Sequence, residues 1–272
     1  MSLSDSSWRQ ELHDLLNTVD YIFPNAVRSV YLHGSRAEGT ALTDSDVDVS
    51  VVVRNTTDMA QVRQMIGRRT LSNRVRLDAN VDTLEMLAYP AWAFLAARIK
   101  LSGGPVRGED IRDQIALPSY QSFKATIFEQ VCKGIGMLRD LDQIGLKQMA
   151  RPIGYPDPSR EFFGYEIARK RDWYPSGTTT GTKELVAVAT YCASAWVVNR
   201  EHSYVLSKTQ AIDAIRRSEN GDRADLAERI YDLCRTMSQG HVPEGDGERT
   251  ELRVLCERLL GFENEILSIC EG

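Results

Sequence analysis

The sequence predicts an α+β protein with two domains, a mixed-sheet domain over residues 1–118 and a helical bundle over residues 119–272. Two observations predict this division. Before Pro118, short apolar runs that favour strands alternate with stretches of helical periodicity, whereas beyond Ser119 helical periodicity dominates. A chain of 272 residues is also long enough to bury a separate core in each domain.

The first elements are a helix and two strands. Between residues 6 and 20, leucines and a valine recur at helical spacing, and Pro24 ends the segment. Residues 27–33 and 47–53 are short apolar runs that predict strands. The second run is too apolar to have a solvent face, so we expect it in the centre of its sheet.

A second helix and a third strand follow. Residues 57–71 predict an amphipathic helix that covers the sheet, with Arg63, Arg68 and Arg69 on a solvated face. Residues 74–82 alternate polar and apolar side chains, which is typical of a half-buried strand.

The C-terminal half predicts the helical bundle. Five stretches of apolar residues at helical spacing occur there: residues 123–141, 182–199, 208–217, 222–237 and 248–270. Two segments rich in proline or glycine, residues 151–159 and 174–181, interrupt them, and we expect both on the surface.

Composition limits the possible functions. No apolar run approaches the ~20 residues that a membrane-spanning helix needs, and the N-terminus lacks a secretory signal, so we expect a cytosolic protein without membrane association. The five cysteines are scattered, which indicates small buried or semi-buried side chains rather than disulfides or zinc ligands. They are Cys132, Cys192, Cys234, Cys256 and Cys270. The net charge of −5 makes a nucleic acid an unlikely partner and favours a small or cationic one.

One stretch, residues 30–53, carries the functional signal. It predicts a strand, a Gly34-Ser35 turn, a polar loop and a second strand that opens with Asp46 and Asp48. Because strand side chains alternate, both aspartates point to one face. Two such carboxylates repel by roughly 3 kcal/mol at an effective dielectric of 20, which favours a bound divalent ion.

The turn in the same stretch predicts an anion site. Glycine followed by serine at the end of a strand lets backbone N–H groups approach a phosphate, with the N-terminus of a short helix behind them. Each part alone has a bland explanation, an ordinary turn or solvated loop residues. Their conjunction points to a phosphate cradle beside a cation site.

This conjunction resembles the signature of the DNA polymerase β nucleotidyltransferase superfamily, and within it the aminoglycoside nucleotidyltransferase branch. The resemblance implies that Asp46 and Asp48 ligate two magnesium ions and that Ser35 contacts the triphosphate of ATP, with Gly34 and Arg36 beside it. It also implies that residues 1–118 are the catalytic domain, closed by a short strand and turn over residues 106–111.

A third carboxylate is expected on the third strand, where Asp78 and Asp82 compete. Asp82 and Glu85 have the spacing of a capping box before an apolar helical run, which gives Asp82 a structural role. Asp78 lies in mid-strand, where a charge is otherwise unfavourable, so we predict Asp78 as the catalytic base and a metal ligand. The family's third strand aligns to the same choice. A solvent-facing Asp78 is the alternative.

The helical domain offers weaker signals. Lys208 opens a helix behind Ser207, a candidate N-cap, and by resemblance Lys208 contacts the triphosphate; a simply exposed lysine is the alternative. The family's arginine a dozen residues earlier is missing here, although Arg200 is a possible substitute. Glu161 and Glu166 lie among aromatic residues and are the predicted acceptor contacts, although the mixed charge that follows them is also typical of a solvated helix.

The resulting hypothesis is a magnesium-dependent enzyme that transfers a nucleoside monophosphate, AMP from ATP, to a hydroxyl of a small-molecule acceptor such as an aminoglycoside, and releases pyrophosphate. Two alternatives stay open: the same chemistry on a protein side chain or an RNA end, and a catalytically silent nucleotide sensor. The presence of all three carboxylates argues against the sensor. The oligomeric state, the nucleobase and the acceptor stay open.

Overall fold

The structure, a computed structural model, describes residues 3–42, 45–66, 68–70, 76–138, 157–168, 179–218 and 221–271. The chain divides into two compact units, residues 1–122 and 123–272, which are described one after the other. The domain limits predicted above, 1–118 and 119–272, stay a prediction.

Unit 1 combines a sheet with helices. Its helices are α1 (Leu3–Ile22), α2 (Gly34–Glu38), α3 (Thr56–Ile66) and α4 (Ala93–Leu101). Its strands are β1 (Val27–His33), β2 (Val47–Val53), β3 (Arg68–Thr70), β4 (Arg76–Thr83) and β5 (Arg107–Gly108). Short 3₁₀ turns at Met86–Ala88, Pro90–Trp92 and Arg112–Gln114 join them.

The five strands form one mixed sheet in the order β3-β4-β2-β1-β5. Strand β1 runs antiparallel to β2 and to β5, whereas β2 and β4 are parallel and β3 is antiparallel to β4. The predicted α+β class with a mixed N-terminal sheet is therefore confirmed. So are the limits of β1 and β2 and the central position of β2.

The sheet has one mainly apolar face and one partly polar face. On the apolar face, alternate residues of β2 and β4 pack against α1 and α3. This core contains Val47, Val49, Val51, Val53, Leu77, Ala79 and Val81, with Trp8, Leu12, Leu16 and Val62 from the helices. On the other face, Tyr31 and Val52 pack against Leu87, Ala96 and Ile99. Because side chains alternate along a strand, the residues between the β2 valines of the apolar core, including Asp48, belong to this second face.

The helix predicted over residues 57–71 is too long. It ends at Ile66, and Arg68–Thr70 forms β3, which pairs with β4. Placing Arg68 and Arg69 on a helix face was therefore wrong. Strand β4 would otherwise be an edge with unpaired backbone groups, and β3 pairs with those groups. The third arginine, Arg63, does lie on α3, where its Nη2 donates to the carbonyl of Val81 (2.6 Å).

Unit 2 consists mostly of helices. They are α5 (Tyr120–Leu138, which begins at the end of unit 1), α6 (Lys183–Arg200), α7 (Lys208–Arg217), α8 (Gly221–Tyr231), a π-helical segment (Asp232–Met237) and α9 (Asp246–Glu271). Two short strands, β6 (Ile167–Ala168) and β7 (Thr179–Thr180), pair antiparallel. The helix predicted over residues 222–237 therefore changes type after Tyr231. Most of the two predicted surface segments, and Leu141 in the first stripe, lie outside the described residues.

Helix α6 lies in the core of unit 2. Twelve of its residues are buried, and they include the four successive residues Ala193, Ser194, Ala195 and Trp196, which point to different sides of the helix. A helix that is apolar all round must be enclosed by other elements. Within the described ranges, no helix is both long and apolar enough to cross a membrane.

Candidate active site

Two aspartates lie on the partly polar face of the sheet in unit 1, and a third lies just before β2. Asp48 on β2 and Asp78 on β4 are direct partners in the parallel register, so their side chains leave the same face side by side. Asp46 lies one residue before β2 begins. The sheet thus places Asp48 and Asp78 side by side, with Asp46 just before the first residue of β2.

Asp46 forms an ion pair with Arg76 of β4. The Nη2 of Arg76 donates to Oδ1 of Asp46 over 2.7 Å, and the two side chains are only 14% and 17% exposed. Arg76 precedes Asp78 by two residues, so it belongs to the same face of β4. A charge-assisted hydrogen bond of this kind offsets part of the repulsion among the three carboxylates. The sequence analysis missed this partner.

The donor set has the right chemistry for magnesium. Mg²⁺ prefers hard carboxylate oxygens, and aspartates supply them here. As the side chains stand, no three His, Cys, Asp or Glu groups of the described residues converge tightly enough to hold an ion. The Asp46 carboxylate is bonded to the guanidinium of Arg76 instead. The magnesium role of Asp46, Asp48 and Asp78 stays a prediction.

Gly34 lies directly against the carboxylate of Asp48. It begins α2 with a φ of +65°, and a Cβ at this position would overlap Oδ2 of Asp48. Glycine is required here for two reasons, the left-handed backbone and the close approach of the backbone to the aspartate. The sequence analysis predicted a close approach at Gly34, but to a phosphate.

We expect Gly34→Ala to destabilise the protein by about 1–3 kcal/mol more than the matched change Gly39→Ala. Gly39 also has a positive φ, +73°, but a Cβ there would meet no atom within 4 Å. The two variants share the backbone strain, so their difference isolates the overlap with Asp48. Urea unfolding of both variants measures it, and equal losses of stability would contradict the contact.

His33 lies beside Asp48 in the antiparallel register of β1 and β2. It is 3% exposed, and its Nε2 lies 2.8 Å from Oγ of Ser50. Burial, and secondarily the positive charge of Arg98, lower the pKa of His33 to about 3. The imidazole is therefore neutral at pH 7. Sequence reasoning missed this residue, although strand alternation places it on the face of Asp48.

The short helix α2 is tied to the loop before β2. Nε and Nη2 of Arg36 donate to the carbonyl of Ser45 over 3.1 and 2.6 Å. The carbonyl of Ser35 accepts from the backbone N–H of Thr40 (2.9 Å). Thr43 and Asp44 of the same loop lie outside the described residues. Arg36 therefore positions the entry to β2, and its contact with the nucleotide, like those of Gly34 and Ser35, stays a prediction.

Asp82 has a structural role different from the predicted one. It belongs to β4, is 6% exposed, and its Oδ1 accepts from the indole Nε1 of Trp92 (2.8 Å). The predicted capping box was wrong, because β4 extends through Thr83, whose Oγ1 accepts from the backbone N–H of Met86 (3.4 Å). Asp82 is thus a buried anchor for Trp92.

In unit 2, the predicted N-cap is confirmed. Oγ of Ser207 accepts from the backbone N–H of Gln210 (3.2 Å), and Lys208 is the first residue of α7. Arg200, the possible substitute for the family's arginine, stacks over the ring of Trp196 with 4.0 Å to the centroid. A triphosphate contact of Lys208 stays a prediction.

The two predicted acceptor residues have partners within unit 2. Glu161 forms an ion pair with Arg249, in which Nε lies 2.7 Å from Oε1, and this pair raises the pKa of Arg249. Oε2 of Glu166 accepts from the backbone N–H of Gly164 (3.1 Å). Residues 169–174, the aromatic and basic continuation of this segment, lie outside the described residues. The acceptor role of both glutamates stays a prediction.

Comparison with known proteins identifies the domain that carries the three aspartates. Residues 17–106 match the family "Polymerase beta, Nucleotidyltransferase". The chain is also 30% identical over 124 residues to spectinomycin 9-adenylyltransferases of Staphylococcus aureus strains Mu50 and N315. The aligned part covers 43% of this chain and 48% of each relative, so the chain spans about half the length of the curated relatives it matches. Residues 17–106, which contain the three aspartates, are therefore similar to the nucleotidyltransferase domain of the polymerase β family.

Proposed function

We propose that this protein transfers AMP from ATP to a hydroxyl of a small-molecule acceptor such as an aminoglycoside, in a magnesium-dependent reaction that releases pyrophosphate. One observation carries the proposal. Asp48 and Asp78 are register partners on parallel strands, with Asp46 just before β2, inside the residues that match the nucleotidyltransferase family. The similarity to spectinomycin 9-adenylyltransferases supports ATP as the donor and a small molecule as the acceptor.

The three carboxylates have different roles in the proposed reaction. Asp46 and Asp48 would hold two magnesium ions, and Asp78 would ligate one of them. Bound magnesium supplies Lewis-acid stabilisation of the charge on the attacking and leaving oxygens. Asp78 accepts the proton of the acceptor hydroxyl, so that the oxygen attacks the α-phosphorus of ATP as pyrophosphate leaves. Backbone N–H groups at Gly34 and Ser35 orient the triphosphate, and Arg36 lies next to them in sequence.

In this proposal, Arg76 is a competing partner of the Asp46 carboxylate. In the structure the guanidinium donates to Oδ1 of Asp46. Bound magnesium would compete with Arg76 for this carboxylate. The ion pair stabilises this acidic part of the protein. An unpaired, half-buried carboxylate next to two others would lower the stability of the fold.

The second unit supplies the acceptor site in this proposal. Glu161 and Glu166 are carboxylates of the kind that recognise a cationic amino sugar, and Lys208 is a cation at a helix start that suits a phosphate. The net charge of −5 favours a cationic acceptor over a nucleic acid. We place the reaction in the cytoplasm, where ATP and magnesium are available.

A substrate panel tests the proposal. Purified protein is incubated with magnesium, each of the four nucleoside triphosphates and a set of aminoglycosides that includes spectinomycin, and pyrophosphate release is followed. We expect release only with ATP and an acceptor, together with an acceptor whose mass grows by one AMP residue. Tight ATP binding without turnover on any acceptor would favour a nucleotide sensor. Label that appears on protein or RNA would replace the small-molecule acceptor.

A further inference from the structure

Two of the five cysteines lie together in unit 2. Sγ of Cys132 on α5 and Sγ of Cys270 in the last turn of α9 are 2.8 Å apart, although the residues are separated by 138 positions in the sequence. A disulfide has an S–S distance of about 2.0 Å. The two sulfurs therefore need to approach by less than about 1 Å to be bonded.

We propose that Cys132 and Cys270 form a redox modification site, at which a peroxide or a low-molecular-weight disulfide oxidises the two thiols to a reversible intramolecular disulfide. This inference does not depend on the proposed transferase activity. It also separates two cysteines from the group of five that the sequence analysis treated alike.

Exposure distinguishes this pair from the other cysteines. Cys132 and Cys270 are half-buried, whereas Cys192, Cys234 and Cys256 are fully buried. The thiolate is the reactive form of cysteine, and burial disfavours it. Burial raises the pKa of Cys234 to about 12 and raises that of Cys256 as well. An oxidant from solvent therefore meets the pair first.

The chemistry balances with hydrogen peroxide as the oxidant. One thiolate attacks a peroxide oxygen, so that an S–O bond forms, the O–O bond breaks and the released hydroxide takes up a proton to become water. The second thiol attacks the resulting sulfenic sulfur, so that the S–S bond forms and a second water leaves. Two electrons pass from the two sulfurs to the peroxide. A dithiol reductant returns both thiols.

The bond would connect α5 to α9 near the C-terminus of the chain. It closes a loop of about 138 residues, and a crosslink over a loop of this length restricts the unfolded chain strongly. The unfolding temperature of the oxidised protein should therefore rise by about 5–10 °C.

The test compares the reduced full-length protein with protein treated with hydrogen peroxide. Iodoacetamide under native conditions should label two thiols in the reduced protein and neither of them after oxidation. Intact mass should fall by two hydrogen atoms, and peptide mapping without reductant should show one peptide pair that joins Cys132 to Cys270. Dithiothreitol should reverse all three changes and the rise in unfolding temperature.

Variants assign the bond. Cys132→Ser and Cys270→Ser should each abolish the crosslink, whereas the control Cys192→Ala, which removes a thiol outside the pair, should retain it. Peptide mapping of the wild-type protein decides the question even where a variant does not fold. Any of four results would overturn the proposal. They are two thiols that stay free after oxidation, a crosslink through another cysteine, a bond between two chains, and an unchanged unfolding temperature.

Discussion

Asp48→Asn is expected to lower turnover by about 10³-fold, because the change removes the negative charge of the proposed metal ligand. Such a ligand contributes several kcal/mol of transition-state stabilisation, and each 1.36 kcal/mol is tenfold in rate. Asparagine has nearly the same shape as aspartate, so the contact with Gly34 and the packing of β2 should persist. Removing one of three neighbouring carboxylates also relieves repulsion. Folding stability should therefore stay equal or rise.

The measurement is the rate of pyrophosphate release at saturating ATP and acceptor, together with urea unfolding of each protein. Asp113→Asn is the matched control, since it makes the same chemical change on a fully exposed side chain of the same unit. It should leave the rate unchanged. An Asp48→Asn variant that keeps more than a tenth of the wild-type rate would remove the two-ion assignment.

Asp78→Asn and Asp82→Asn should have opposite consequences, although both aspartates lie on one face of β4. Asp78 is next to Asp48 and is the proposed general base, and loss of a general base lowers the rate by about 10²–10⁴-fold. Oδ1 of Asp82 accepts a hydrogen bond from the indole of Trp92, and an asparagine oxygen can still accept that hydrogen bond. Asp82→Asn should therefore keep turnover within a few-fold and lose only a little stability.

The two variants are compared by their single-turnover rates over a range of pH and by their thermal unfolding. A rate that survives in Asp78→Asn and vanishes in Asp82→Asn would transfer the catalytic role to Asp82. Equal, large losses in both rates with intact folds would mean that the whole face of β4 acts as a unit.

Local patterns were sufficient for much of the fold. The limits of β1 and β2 follow from short apolar runs bounded by turn residues, and the common face of Asp46 and Asp48 follows from strand alternation. The start of α7 behind Ser207 is likewise a local signal, because an N-cap acts on its own helix.

Tertiary pairing overrode local preference in two places. Arginine is a good helix former, so Arg68 and Arg69 extended the predicted helix, but the chain pairs with the edge of β4 there. The spacing of Asp82 and Glu85 matches a capping box, yet Asp82 accepts from Trp92, ten residues further on, and pairs with Arg63 of α3 at 3.8 Å. A local pattern contains no information about either partner.

The contacts that define the site join residues that are distant in sequence. Arg76 lies on β4 and donates to Asp46, which precedes β2. Gly34 follows β1 and lies against the carboxylate of Asp48 on β2. The alternation of side chains along each strand predicts which residues share a face of the sheet. Which side chain pairs with which depends on the register between strands, and that register is set by the whole sheet.

The most direct test of the three-carboxylate site is anomalous diffraction from crystals grown with manganese and a non-hydrolysable ATP analogue. We predict manganese bound by the carboxylates of Asp46, Asp48 and Asp78, with the Asp46 side chain turned away from Arg76. An intact ion pair between Asp46 and Arg76, with manganese elsewhere in the protein, would contradict the account.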